Sequence, residues 1–466
     1  MLVSGLACLA SVVGCGGEDA QDVEADLDGG GPFDGSGRPD GGALSPPKTC
    51  TSDGECGGAK CLPVGSGTKA CVTSKSCTGG SGANSKCGGI DGDESAEGAS
   101  DCCQTAMVSG GSFNRFNDPA YPATVSPFLL DVFEVTGGRF RAWVEATNGN
   151  LRAAAPQVGA GAHPKVAGSG WRAEWNAVLP TSRAEVDAMF GPGKCEVGTN
   201  LDDYGTLTWW TANIESQIKA KNPGNSAVLA ANTKTALDSK GLNCVPWHVL
   251  MAFCVWDGGR LPTDAEWSFA AQGGSEQRPF PWGTVDAKDL VNIDGRSDMS
   301  RVPVLEAGSP FLVASLYDPT LGANKFPANY VHSWGGSFRT PSDNALHVAP
   351  VGRRVKGNGK WGHADLSGGM YEWTMDEGPI TKGPCSDCAK VDYPSLDGFD
   401  PNAQSSTIPD FPHALYAGGA RSVRGGAWDN SLGIANGQSQ LEIEVYTAYP
   451  VKRTYRSLGG RCARNM

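Results

Sequence analysis

Sixteen cysteines in 466 residues constrain this chain more than any other feature. A reducing compartment would leave most of them as idle or hazardous thiols, so an oxidising compartment is expected. Eight of them, Cys50, Cys56, Cys61, Cys71, Cys77, Cys87, Cys102 and Cys103, crowd into residues 50–103 among Gly, Ser and Thr. A segment this short has little core of its own and needs covalent staples. Eight cysteines permit about a hundred connectivities, so none is assigned. Zinc is the competing reading, and irregular spacing with no histidine in the segment speaks against it.

The start of the chain agrees with export. Residues 2–13 (LVSGLACLASVV) are an apolar run too short to span a bilayer, ending in Val12-Val13-Gly14-Cys15. That ending resembles a bacterial lipobox, so residues 1–15 are expected to be a lipoprotein signal peptide and Cys15 the lipidated residue. The expectation that follows is an exported bacterial lipoprotein of the outer membrane or cell surface, held to the membrane by its N-terminal lipid. With Cys8 removed and Cys15 lipidated, fourteen cysteines remain, an even number as complete pairing requires. Residues 16–49 are mostly Asp, Gly and Pro, and cannot bury enough surface to offset their ordering entropy; a disordered acidic tether is expected.

Residues 104–466 have a different texture. All 13 tryptophans fall here, apolar runs are short and turn signals recur, which points to a loop-rich α+β fold rather than a βαβ or heptad pattern. A helix is expected from Thr263 to Ala271, where Thr263 and Glu266 form a capping-box pair and Gly273-Gly274 stops the run. A second is expected near Trp247–Trp256. The net charge of −12, with no basic cluster to track phosphates, excludes nucleic acid as a partner.

Several separated blocks occur in the order found in the formylglycine-generating-enzyme (sulfatase-modifying-factor) family. Val108-Ser109-Gly110-Gly111-Ser112-Phe113 looks like its opening strand, and Phe133-Glu134-Val135-Thr136 like its EVT block. Val245-Pro246-Trp247, Phe253-Cys254-Val255-Trp256 and Gly259-Arg260-Leu261-Pro262-Thr263-Asp264-Ala265-Glu266-Trp267 form the most specific stretch. Phe280-Pro281-Trp282-Gly283 follows, then Asp365-Leu366-Ser367-Gly368-Gly369-Met370-Tyr371-Glu372-Trp373, with Gly369 where the family has Asn and Tyr371 where it has Trp. Arg424-Gly425-Gly426-Ala427-Trp428 and Gly459-Gly460-Arg461-Cys462-Ala463-Arg464 close the pattern. The resemblance covers roughly 107–466 and implies the family's C-type-lectin-related α+β fold, with little regular secondary structure.

The resemblance carries further expectations. Cys254 and Cys462 sit where the family has a structural disulfide, closing a long loop worth roughly 4–5 kcal/mol in the chain-entropy model. Cys385 and Cys388, in Pro384-Cys385-Ser386-Asp387-Cys388, read as a local loop staple rather than a redox pair, because no thioredoxin-like context surrounds them. By elimination Cys195 pairs with Cys244. The family's copper-binding cysteine pair lies between its RGG-A-W and terminal blocks; here that interval, Asp429 to Leu458, contains no cysteine. A soft cuprous ion needs thiolates, so no catalytic residue is assigned, and neither copper nor cysteine oxidation is expected. The related sulfoxide synthases bind iron through histidines on an added helical domain. The six histidines here (163, 248, 332, 347, 363 and 413) are scattered without that motif, so iron is not expected either.

Calcium is. One family site matches Asn292, Ile293, Asp343 and Ala345, and a second matches Asp365, Gly368, Met370 and Glu372. Both combine carboxylate or amide oxygens with backbone carbonyls, as a hard cation requires. Insertions relative to the family fall at about 155–242, 297–340 and 377–420, and the first carries Trp171, Trp209 and Trp210. Exposed aromatics of this kind suit a glycan or peptide ligand, with burial as the competing reading. Two functions remain open: a non-catalytic binding or scaffolding protein, or a metal-dependent oxidoreductase of the superfamily with altered chemistry.

Overall fold

The computed structural model describes residues 48–78, 86–88, 99–195, 207–283, 348–391, 420–427 and 447–466 with short gaps inside those ranges, and two-residue strands at 434–435 and 438–439. Cys15, the tether up to residue 47, the Asn292–Ile293 and Asp343–Ala345 pairs, Trp428, and the insertion at 297–340 lie outside the described residues. So do His332, His347 and His413.

Strands are short throughout. In the cysteine-rich segment β1 (Lys60–Gly65) pairs antiparallel with β2 (Thr68–Val72), and β3 (Lys86–Gly88) with β4 (Ala99–Asp101). The larger domain begins with β5 (Thr105–Val108) and β6 (Gly111–Asn114). One strand was expected over this block, and the chain instead turns at Gly110, whose φ is 71° and whose Cβ would stand 2.5 Å from the Val125 carbonyl oxygen. The two halves therefore join different sheets. β6 pairs with β7 (Pro122–Val125), which takes β10 (Cys385–Ser386) in parallel on its other edge, and β5 pairs with β8 (Phe128–Asp131), which also takes β16 (Ala463–Arg464). The central four-stranded sheet runs β14 (Thr447–Pro450), β11 (Ala420–Arg424), β9 (Tyr371–Glu377), β15 (Leu458–Gly459). A small hairpin, β12 (Ile434–Ala435) with β13 (Gln438–Ser439), lies between β11 and β14 in the chain.

Six α-helices are described. Gly137–Ala146 (α1) starts on two glycines, which hide it from propensity arguments. A Cβ at Gly137 would meet the carbonyl oxygens of Leu237 and Thr208 at 3.0 and 3.1 Å, so small size is what lets the helix enter there. Arg183–Met189 (α2), Ala212–Lys221 (α3) and Lys234–Asp238 (α4) belong to the first insertion. Trp247–Trp256 (α5) and Asp264–Ala271 (α6) are the two helices expected from sequence. Both halves of the capping box form: Thr263 Oγ1 accepts from Glu266 N at 3.0 Å and Glu266 Oε2 from Thr263 N at 2.9 Å.

The main core gathers Trp143, Trp171, Trp175, Trp209, Trp247 and Trp373 around α1, α5 and β9. The ligand-surface reading of Trp171 and Trp209 is thereby corrected: they are only 1% and 0% exposed, and they anchor the insertion instead of presenting a face. Trp171 Nε1 donates to Asn176 Oδ1 at 2.7 Å and Trp209 Nε1 to Asp187 Oδ1 at 2.8 Å, so the polar edge of each indole is satisfied as a buried one must be. Arg141 stacks 4.2 Å above the Trp209 ring. Trp210 is half-buried, its Nε1 donating to Glu215 Oε2 at 2.5 Å.

Seven disulfides join Cys50–Cys61, Cys56–Cys71, Cys77–Cys103, Cys87–Cys102, Cys195–Cys244, Cys254–Cys462 and Cys385–Cys388. The cysteine-rich segment shares cores with the larger domain, Leu62, Val64 and Val72 packing with Leu129, and Cys87 and Cys102 with Phe133 and Val351. A fully buried ion network also ties it in. Arg139 reaches Asp131 at 2.8 Å and Asp257 at 2.7 Å, Arg464 bonds the same two aspartates, and Asp257 accepts from Ser74 Oγ and Ser76 N. Two guanidiniums face two carboxylates, so this network is balanced in charge.

Candidate functional site

The second calcium set falls on a turn that only left-handed backbone can make: Asp365, Gly368 and Gly369 have φ of 55°, 92° and 66° before β9 begins. Asp365 is buried and its Oδ2 accepts from Gly352 N at 2.5 Å. Glu372, one turn of the chain later on β9, is 1% exposed. Arg461 grips it from β15's far end, Nε to Oε2 and Nη2 to Oε1 at 2.7 Å each, while Trp267 Nε1 adds a bond to Oε2 at 3.1 Å. The remaining Arg461 donors go to the carbonyl oxygens of Asp131, Val132 and Ala364, at 3.2, 2.9 and 2.7 Å. One guanidinium thus has every donor engaged.

A third carboxylate joins them. Glu134, 2% exposed, accepts from Met370 N at 2.7 Å. Its oxygens lie in a slot between two glycines: a Cβ at Gly369 would stand 2.4 Å from Oε1, and one at Gly241 2.2 Å from Oε2. Burial pushes the Glu134 carboxyl well up from its ordinary value, and the charges of Asp365 and Glu372 push it further, against Arg461 and the Met370 N–H. Lys240, buried beside Gly241 in sequence, has its ammonium pushed down to about 7 by burial. His363, also buried, is pushed down to about 3, by burial and then by the charge of Arg461, and its Nε2 lies 3.3 Å from the Leu130 carbonyl oxygen.

Glu134, Asp365 and Glu372 share this buried region with Arg461. Asp365 and Glu372, two of the expected calcium residues, therefore share one buried region with the Gly368 and Met370 backbone, and both Glu372 oxygens are held by Arg461 and Trp267. The other sequence-derived sites fare differently. Among the described residues, the clusters of three or more His, Cys, Asp or Glu side chains close enough to share a metal are Cys50, Cys56 and Cys71, and Cys77, Asp101 and Cys103, and those sulfurs are consumed in disulfides. That removes the zinc reading of the segment. The described histidines do not converge: His163 faces Glu266 at 3.4 Å, His248 packs on Trp175 and Trp247, and His363 sits by Leu130.

Glu134 and Arg461 are the members of this cluster that residue reasoning passed over. Nothing local marks them, since 327 and 89 residues separate Arg461 from Glu134 and from Glu372. Only their presence in the EVT and terminal blocks signals them.

The sulfatase-modifying factor enzyme 1-like domain matches residues 93–301 and 317–466. The chain belongs to this family. A formylglycine-generating enzyme from Streptomyces coelicolor is 25% identical over 346 residues, 74% of this chain and 80% of that one. A second, from Thermomonospora curvata, is 28% identical over 166 residues, 35% of this chain and 44% of its own length, so the alignment spans less than half of that relative. A Bos taurus relative named inactive C-alpha-formylglycine-generating enzyme 2 is 29% identical over 283 residues, 58% of this chain and 70% of that protein. Catalytic and non-catalytic names thus both occur among relatives of similar identity.

Proposed function

We propose that this member of the family is an exported lipoprotein whose domain binds or scaffolds at the cell envelope and does not oxidise cysteine. One observation carries the reading: every cysteine from Cys50 to Cys462 is in a disulfide, and no cysteine lies between Asp429 and Leu458. Copper–thiol chemistry has no thiolate to use, so the residues of the domain do not fit that ion. Lipidation at Cys15 tethers the domain to the membrane, and no helix among the described residues is long and apolar enough to cross one. Calcium at Asp365, Gly368, Met370 and Glu372 has a structural part, offsetting the buried carboxylates and fixing the turn before β9.

Aerobic incubation of the purified protein with copper and a Cys-x-Pro-x-Arg peptide tests the central claim. No aldehyde is expected; aldehyde formation would overturn it. Labelled palmitate incorporated by the wild type and lost in Cys15→Ala tests the anchor. Elemental analysis of the protein as purified tests calcium, about one ion per chain being the expected result.

A further inference from the structure

The Cys385–Cys388 staple is placed to do more than close a loop. Its cysteines are half-buried, as are Cys56 and Cys71, whereas the cysteines of the other five disulfides are buried. Between them lies Asp387, in left-handed conformation at φ 45° and only 6% exposed. A non-glycine residue holds such a conformation when its surroundings over-determine it, and here a four-residue ring does so. From that position Asp387 Oδ1 accepts from Ser126 N at 2.5 Å and Oδ2 from Ser126 Oγ at 2.9 Å, at the corner between β7 and β8. Its own N–H reaches the Thr124 carbonyl oxygen at 2.8 Å. Oδ2 also accepts from Lys165 Nζ at 2.9 Å, and the same ammonium donates to Ser126 Oγ at 2.5 Å. Lys165 belongs to the first insertion, so one carboxylate inside the ring joins three stretches of chain.

We propose that the Cys385–Cys388 disulfide is a redox-sensitive latch that holds the Lys165 segment of the insertion against the β7–β8 corner through Asp387. A dithiol reductant opens it by thiol–disulfide exchange. Its thiolate attacks one cysteine sulfur, breaking the S–S bond and forming a mixed disulfide. Its second thiol then displaces the protein sulfur, leaving two protein thiols and an oxidised cyclic disulfide, two electrons and two protons having passed to the protein. With the ring open, Ser386–Asp387 is released from its imposed conformation and the carboxylate loses its aim on Ser126 and Lys165.

The full chain is treated with graded dithiothreitol, trapped with iodoacetamide, and mapped by peptide mass spectrometry with hydrogen exchange. Cys385 and Cys388 are expected to be alkylated before the other twelve bonded cysteines. In that singly reduced protein, exchange at the Ser126 amide is expected to rise about tenfold or more, and acylation of Lys165 by an N-hydroxysuccinimide ester to quicken. A Cys385→Ser/Cys388→Ser variant, with no reductant, is expected to reproduce both changes. If another disulfide reduces first, or if Ser126 and Lys165 behave in the opened protein and the variant as in the oxidised protein, the latch is refuted.

Discussion

Arg461 holds both carboxylate oxygens of Glu372 at 2.7 Å, with neither side chain more than 1% exposed. The pair closes β15 onto β9 in the region that Glu134 and Asp365 share. Charge placed this deep is stabilising only while it is matched, which makes the pair a sensitive point in the fold.

Arg461→Met is expected to destabilise the chain by about 3–5 kcal/mol, since it leaves buried carboxylates unmatched. Adding Glu372→Gln should recover a large part of that loss. Denaturant midpoints for the two single variants and the double variant measure the coupling, and additive losses would remove the pair from the account.

Cation binding at the same turn carries its own expectation. Calcium should raise the thermal midpoint of the purified protein, and chelation should lower it, through preferential binding to the folded state. Glu372→Gln and Asp365→Asn should each shrink that difference. A midpoint indifferent to calcium and chelator in the wild type would count against the site.

Stability should also fall with rising pH as buried, raised carboxyls ionise, and Asp376 is one of them. Asp376 is pushed up to about 7, by burial and then by the charge of Asp264, against backbone N–H bonds from Asp264 and Lys390 and the charge of Arg115. A carboxyl raised in the folded state binds its proton more tightly there than in the unfolded chain. Its contribution is therefore complete below about pH 4 and is lost as pH rises toward 7, by on the order of a few kcal/mol. Asp376→Asn should flatten the slope of unfolding free energy across that window, whatever it does to the absolute value.

Trp209→Ala should behave as a core truncation, costing about 3–5 kcal/mol, because Phe140, Phe190 and the Arg141 guanidinium all pack on that ring. Trp210→Ala, at a half-buried position, should cost far less. Equal, small losses at both would return Trp209 to the surface.

Helix α6 offers a local check. Thr263→Ala removes the side-chain half of the capping box and should cost about 1 kcal/mol by chemical unfolding, with the Arg260–Glu266 pair, 2.6 Å across, left in place. A loss several times larger would mean that the threonine supports more than the cap.

What could be read locally was read correctly in its physics. Thr263 and Glu266 are three residues apart, and that spacing alone dictates the cap. Glycines at 273 and 274 end the helix with left-handed φ of 67° each. Helix α1 escaped because Gly137 and Gly138 lower its propensity, while the reason for Gly137 is a contact with Leu237 and Thr208 that sequence spacing does not carry. Trp171 and Trp209 looked the same from sequence whether they faced solvent or the core.

By itself the sequence determined an even set of cysteines suited to oxidation, the capped helix, the family blocks and the empty interval from Asp429 to Leu458. Those are matters of residue identity and short spacing, which local chemistry reads directly. Tertiary structure decided which of the eight cysteines in residues 50–103 meet, that the insertion buries Trp171 and Trp209, and that Glu134, Asp365, Glu372 and Arg461 share one buried region. The physical reason is range. An ion pair across 89 residues, or a Ser76–Asp257 bond across 181, leaves no periodic trace in the chain, and forms only where packing excludes water and forces charges to find one another.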